Sequence, residues 1–155
     1  MRRAGVPAVD RLRPVSVQDW LAPVCFGGLV YLLWRSSNLT MFTWLQAIGG
    51  AEVVAEIRLL ASPLILEIPR WILFSLPAAL WSYSIVAWVA WSWRDVSASE
   101  ASAWIAGAAL LGPVSELLQG FGVVPGTFDW VDLYSYTAAN ALALARVTRG
   151  GVHVA

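Results

Sequence analysis

Lysine is absent from this chain, and cysteine and histidine occur once each. The lone Cys25 lies within an apolar run, so it has no intramolecular disulfide partner and reads as a small core side chain. His153 stands alone in the C-terminal tail, far from any acid cluster, and reads as a solvated residue. Without a nearby histidine, a cysteine pair or a phosphate loop, zinc hydrolysis and redox-cofactor ligation have no ligands. No metal and no cofactor are expected. Charge is scarce as well: 13% of residues are charged, against about a quarter in soluble domains. Ten arginines balance ten acids, and no basic patch is interleaved with aromatics, which disfavours nucleic acid as a partner. The short alternating strands of a closed barrel are missing too.

What is present is apolar. Of 155 residues 59% are hydrophobic, ten are tryptophan, and the mean hydropathy is +0.66. The apolar residues gather in long runs, which predicts an all-α polytopic membrane protein: a bundle of four transmembrane helices plus an interfacial amphipathic helix. The first span runs from Val17 or Trp20 to Trp34, and Gly27-Gly28 offers a site of close helix approach. The second is Trp71 to Trp93, bounded by Arg70 and Arg94, with a kink expected at Pro77. The third covers about Ala101 to Leu118. The fourth begins near Asp129 or Trp130 and ends near Val147. Met41 to Leu60 alternates at helical spacing with Glu52 and Glu56 interrupting, and reads as the interfacial helix, bent at Gly49-Gly50. Pro63 and Pro69 bracket a stretch too short to cross.

The expected domain plan is a cytoplasmic tail over 1–16, a single transmembrane helical domain over 17–148 and a short cytoplasmic tail over 149–155. The first span reads as retained rather than as a cleaved signal. Tryptophans at span ends suit the interface, whereas Trp81 and Trp88, inside the second span, are expected to pack between helices. Seven arginines (2, 3, 11, 13, 94, 146 and 149) fall on the side of the termini and three (35, 58 and 70) on the other. The positive-inside rule then puts both termini in the cytoplasm of a multi-pass protein.

One segment breaks the apolar pattern. Between Gly112 and Leu144 lie Glu116, Gln119, Asp129, Asp132, Tyr136 and Asn140. Ionisable groups at membrane depth are costly and mark function by default. Glu116 and Gln119 share a helix face, three residues apart. Asp129 and Asp132 stand at a helix start, where the dipole favours carboxylates. The plain reading of Asp129 is an N-cap, with Asp132 three residues on in a capping-box role. Glu116 has no such reading, since the helix C-terminus disfavours its charge; Gln119, Arg35, Arg70 or the free amides of the next helix are its candidate partners. Tyr136 and Asn140 continue the Asp132 stripe, either lining the same groove or bonding between helices.

Glu116, Gln119, Gly126, Phe128, Asp129 and Asp132 together resemble the VanZ-like family of small bacterial membrane proteins, over about the last 45 residues. The family carries arginine where this chain has Thr127, asparagine where it has Tyr136, and a small glycine where it has Ala139. A stretch around Ala78 also looks like a divergent branch of small inner-membrane proteins, in which that position is often acidic. The resemblance implies a bacterial inner-membrane protein linked to the cell envelope and to glycopeptide tolerance, without an assigned enzyme activity. Three functions follow as expectations. The first is binding of a polar lipid headgroup, an envelope glycolipid or a glycopeptide antibiotic by the outward cluster, with membrane lipids as partners. The second is an accessory subunit whose Trp-rich faces meet a partner's spans. The third is intramembrane acid/base chemistry on a lipid through Glu116 with Asp129 or Asp132.

Overall fold

The computed structural model describes Leu12 and residues 14–148. Most of both expected tails, with His153 and five of the arginines counted for orientation (2, 3, 11, 13 and 149), lies outside the described residues. The described chain is helical, with no strand. Its elements are α1 Val17–Trp34, α2 Thr40–Ala47, α3 Ala51–Ala61, a 3-10 turn Ser62–Leu66, α4 Arg70–Phe74, α5 Leu76–Ser92, α6 Ala98–Gly120 and α7 Trp130–Thr148. By length and composition, α1 and α6 are long and apolar enough to cross a membrane.

The helix starts follow local chemistry. The Ser16 N–H and hydroxyl both donate to Asp19 Oδ2, at 2.7 and 2.9 Å, at the head of α1. A full capping box of Ser97 and Glu100 opens α6, so that helix begins three residues before the expected Ala101. Gly49, at φ +77°, separates α2 from α3 where a bend was expected. The expected single helix Trp71–Trp93 is instead divided at Ser75 into α4 and α5. Pro77 is the cause: it has no N–H for the Leu73 carbonyl, and it fits best in a first turn, so a new helix starts around it.

The four long helices pack with α5 at the centre, touching α1, α6 and α7. Helix α1 runs antiparallel to α5: Trp20 meets Trp91 with ring centroids 6.0 Å apart, and Tyr31 meets Trp81 at 5.3 Å. Helices α6 and α7 form an antiparallel hairpin. Small residues set the spacing. A Cβ on Gly27 would come within 3.0 Å of Trp81 Nε1, so α1 approaches α5 closely there, while Gly28 faces open space. The core gathers at the end where α1 starts and α7 stops: Val86, Ala87, Ala90, Ala101, Ala143 and Val147 are all but sealed. The same end is tied by Arg146, whose Nε and Nη2 reach the Asp19 carboxylate at 3.2 and 3.0 Å. The described ends of the chain are therefore adjacent.

The outward faces are apolar on every long helix: Phe26 on α1, Ile85 on α5, Leu110 and Leu111 on α6 and Leu142 on α7 are all exposed. Trp88 belongs with them. At 49% exposure it does not pack between helices as expected; only Trp81 does, with its indole N–H on the Val24 carbonyl at 3.3 Å.

Candidate functional site

The polar residues of the α6–α7 hairpin separate into a structural set and a cavity set. Glu116 joins the two. It is 2% exposed, on the last full turn of α6, and its Oε1 accepts the Asp129 backbone N–H at 2.6 Å. In a capping box, the third residue of the helix would reach back to the N-cap amide. Asp132 does not make that bond; Glu116 supplies it from the neighbouring helix. Asp129 itself is exposed and caps α7, its Oδ1 accepting the Val131 N–H at 2.7 Å. A free backbone amide, rather than Arg35 or Arg70, thus satisfies one oxygen of Glu116.

The turn between the helices is shaped to allow this. Gly122 has φ +69° and Gly126 φ +148°, both in the region that favours glycine. The Gln119 amide lies against Gly126 so closely that a Cβ there would overlap it, and a Cβ on Gly120 would stand 3.3 Å from the Phe128 ring. Glu116, Gln119, Gly126, Phe128 and Asp129 therefore form one packed unit that closes the loop and starts α7.

Asn140 is used entirely between helices. Its amide donates to the Ala109 carbonyl at 2.6 Å, and its oxygen accepts the Ser82 hydroxyl at 2.9 Å. Ala109 stands four residues before Pro113, which lacks the N–H that would otherwise take that carbonyl. Asn140 fills the gap, linking α5, α6 and α7 at one point.

Above this node lies a cavity of about 450 Å³ between α1, α5, α6 and α7. Glu116, Gln119, Asp132 and Tyr136 line it; Asp129 and Asn140 do not. Ser82 and Ser115 add hydroxyls to the wall. The Tyr136 ring is pressed onto Gly112, where a Cβ would come within 2.5 Å of it. Asp132 Oδ1 is enclosed and has no hydrogen-bond partner. The opposing wall carries Arg35, which follows α1. Its guanidinium lies over the Tyr31 and Phe74 rings, 5.3 and 5.2 Å from their centroids, in cation–π geometry. Among the described residues the ion pairs are Arg94–Asp95 and Arg146–Asp19, so Arg35 is within pairing distance of neither Glu116 nor Asp132. Arg70 does not reach the cavity. The sequence marked Arg35 only as a partner for Glu116; beside it in the cavity wall stands Phe74, the last residue of α4 before the break at Ser75.

A larger cavity of about 660 Å³ lies beyond α1, between α2 and α3. Arg58 crosses its edge to cap α1, donating to the Leu32 and Arg35 carbonyls at 2.9 and 2.7 Å. Its remaining lining is mostly apolar, and the chemistry converges on the smaller cavity instead. No group of three or more histidine, cysteine or acidic residues among the described residues is arranged to hold a metal ion. Comparison with family models, with curated proteins and with solved structures gave no match.

Proposed function

We propose that the chain is a non-enzymatic polytopic membrane protein whose cavity between α1, α5, α6 and α7 binds a polar lipid headgroup. Its four spans would be α1, α4–α5, α6 and α7, with α2 and α3 at the outer interface. The membrane setting is supported by an inverted pattern of side chains: alanines fill the core while Phe26, Leu110, Leu111 and Leu142 face outward. A water-soluble bundle buries its large apolar residues instead. The adjacent ends of α1 and α7 agree with an even number of spans, and the arginine count favours the cytoplasm for those ends.

The observation that carries the binding reading is the lining of the smaller cavity: a guanidinium on one wall and two carboxylates, an amide and a phenol on the others. Ligand sites combine an apolar wall with a few converging polar groups. The motif resemblance to VanZ-like proteins, and with it a place in the bacterial inner membrane and envelope, belongs to the same proposal. The test is lipid retention. The full chain purified in mild detergent should carry lipid into native mass spectrometry, and Ser115→Trp, which fills the cavity, should lose most of it. Equal retention by both proteins contradicts the reading.

Trp88 favours a second reading. It is a large exposed indole one turn before α5 ends at Ser92, on an apolar outward face of the kind another protein's helix can cover. A stoichiometric partner that co-purifies with the chain and is lost in Trp88→Ala would favour an accessory subunit.

A further inference from the structure

We infer that the headgroup this cavity takes is zwitterionic, an anionic phosphodiester joined to a primary ammonium. The inference rests on the binding reading above and specifies its ligand. A cavity with carboxylates alone would select any cation, and one with arginine alone any anion. Here both signs line one space of about 450 Å³ without pairing to each other. Arg35 is held at its wall by two aromatic faces, which leaves the edge of the guanidinium fork free for phosphate oxygens. The carboxyl groups of Glu116 and Asp132 line the same cavity. Asp132 Oδ1 has no donor among the described residues; being enclosed, it takes one from a ligand when the side chain turns toward the cavity it lines. A ligand that satisfies both walls carries its anion toward Arg35 and its N–H donors toward Glu116 and Asp132. A quaternary ammonium has the charge but no donor, so a primary amine is preferred. The chemistry is that of an ethanolamine phosphate, whether as a lipid headgroup or as the free compound.

The experiment is native mass spectrometry of the full chain in detergent, titrated with phosphatidylethanolamine, phosphatidylcholine and phosphatidylglycerol of matched chains, and separately with O-phosphoethanolamine. Phosphatidylethanolamine should be retained about tenfold over each of the other two, the discrimination expected for one charge-assisted hydrogen bond. Arg35→Gln should lower retention of both phosphatidylethanolamine and phosphatidylglycerol. Asp132→Asn should abolish the preference for phosphatidylethanolamine while sparing phosphatidylglycerol. Glu116→Gln, which keeps an oxygen for the Asp129 amide, repeats that test should the first variant fold poorly. Binding of O-phosphoethanolamine with the same dependence on Arg35 and Asp132, without lipid retention, supports the chemistry with a soluble source. Phosphatidylglycerol held as tightly as phosphatidylethanolamine, dependent on Arg35 but indifferent to Asp132 and Glu116, overturns the zwitterion and leaves headgroup binding standing. Retention that ignores every variant, Ser115→Trp included, overturns both.

Discussion

At the scale of single residues, the acids of the α6–α7 hairpin differ in what they hold. Glu116 accepts a backbone amide at 2.6 Å from a sealed position, whereas Glu52 and Glu56 are exposed. Glu116→Ala strands the Asp129 N–H, at a cost of about 1–3 kcal/mol; Glu52→Ala and Glu56→Ala should leave stability unchanged. Unfolding midpoints in detergent decide it, and three equal values would contradict the role given to Glu116. That this carboxylate needed compensation was legible from its place at a helix C-terminus. Its partner was not, because that amide is brought back by a turn whose path depends on Gly122 and Gly126. Asn140 and Pro113 make a coupled pair. Asn140→Ala should cost about 1 kcal/mol, the usual net worth of an intramolecular hydrogen bond. In a Pro113→Ala background the restored N–H can take the Ala109 carbonyl, so the same substitution should cost less. A double-mutant cycle with zero coupling would reject the link. Spacing put Asn140 on the stripe of Asp132 and Tyr136; only the freed carbonyl opposite explains why it bonds between helices.

At the scale of elements, the last residue of α1 and both ends of α7 were readable to within about a residue, because arginine and acids punctuate them, while the start of α1 stayed open between Val17 and Trp20. The start of α6 was legible in principle: Ser97-Ala98-Ser99-Glu100 has the capping-box spacing, but the polar run reads as a turn until the box is recognised. The division of Trp71–Trp93 was not legible. Proline announces a kink, yet whether the helix bends or restarts depends on what the freed Leu73 carbonyl and Ser75 meet. The outward turn of Trp88 escapes sequence reasoning for a similar reason: α5 is apolar all round, so its sequence does not distinguish its faces. The glycine pair in α1 gives the sharpest test at this scale. Gly27→Ala crowds Trp81 and the Pro77 carbonyl and should destabilise the bundle by about 1–3 kcal/mol, as overpacking does. Gly28→Ala has open space beside it and should be neutral or stabilising by up to about 1 kcal/mol. Effects of the same sign in thermal unfolding would contradict the close approach of α1 to α5.

At the scale of the whole molecule, the bundle has a sealed end and an open end. Alanines and valines fill the sealed end, clasped by Asp19 and Arg146; the cavity and the hairpin turn occupy the other. The helical class of the described chain was legible from its long apolar runs. The division into two ends was not, since it comes from which helices meet at which height. The division predicts separable effects. Asp19→Asn should lower stability by about 1–2 kcal/mol, between the exposed and buried limits for an ion pair, and leave lipid selectivity intact. Loss of selectivity without loss of stability would contradict the separation. In cells, a cysteine at Gly122 should react with an impermeant thiol reagent from outside and one at Ser97 should not; the reverse would overturn the proposed orientation. The central claim is that lipid enters the cavity rather than merely coating the apolar outer faces. Photo-crosslinking a headgroup-labelled phosphatidylethanolamine to the full chain in vesicles, with adducts mapped by peptide mass, tests this directly. Adducts should concentrate in residues 31–35 and 112–136 and be lost in Ser115→Trp; adducts spread along the outward faces, unchanged by that substitution, would contradict entry into the cavity.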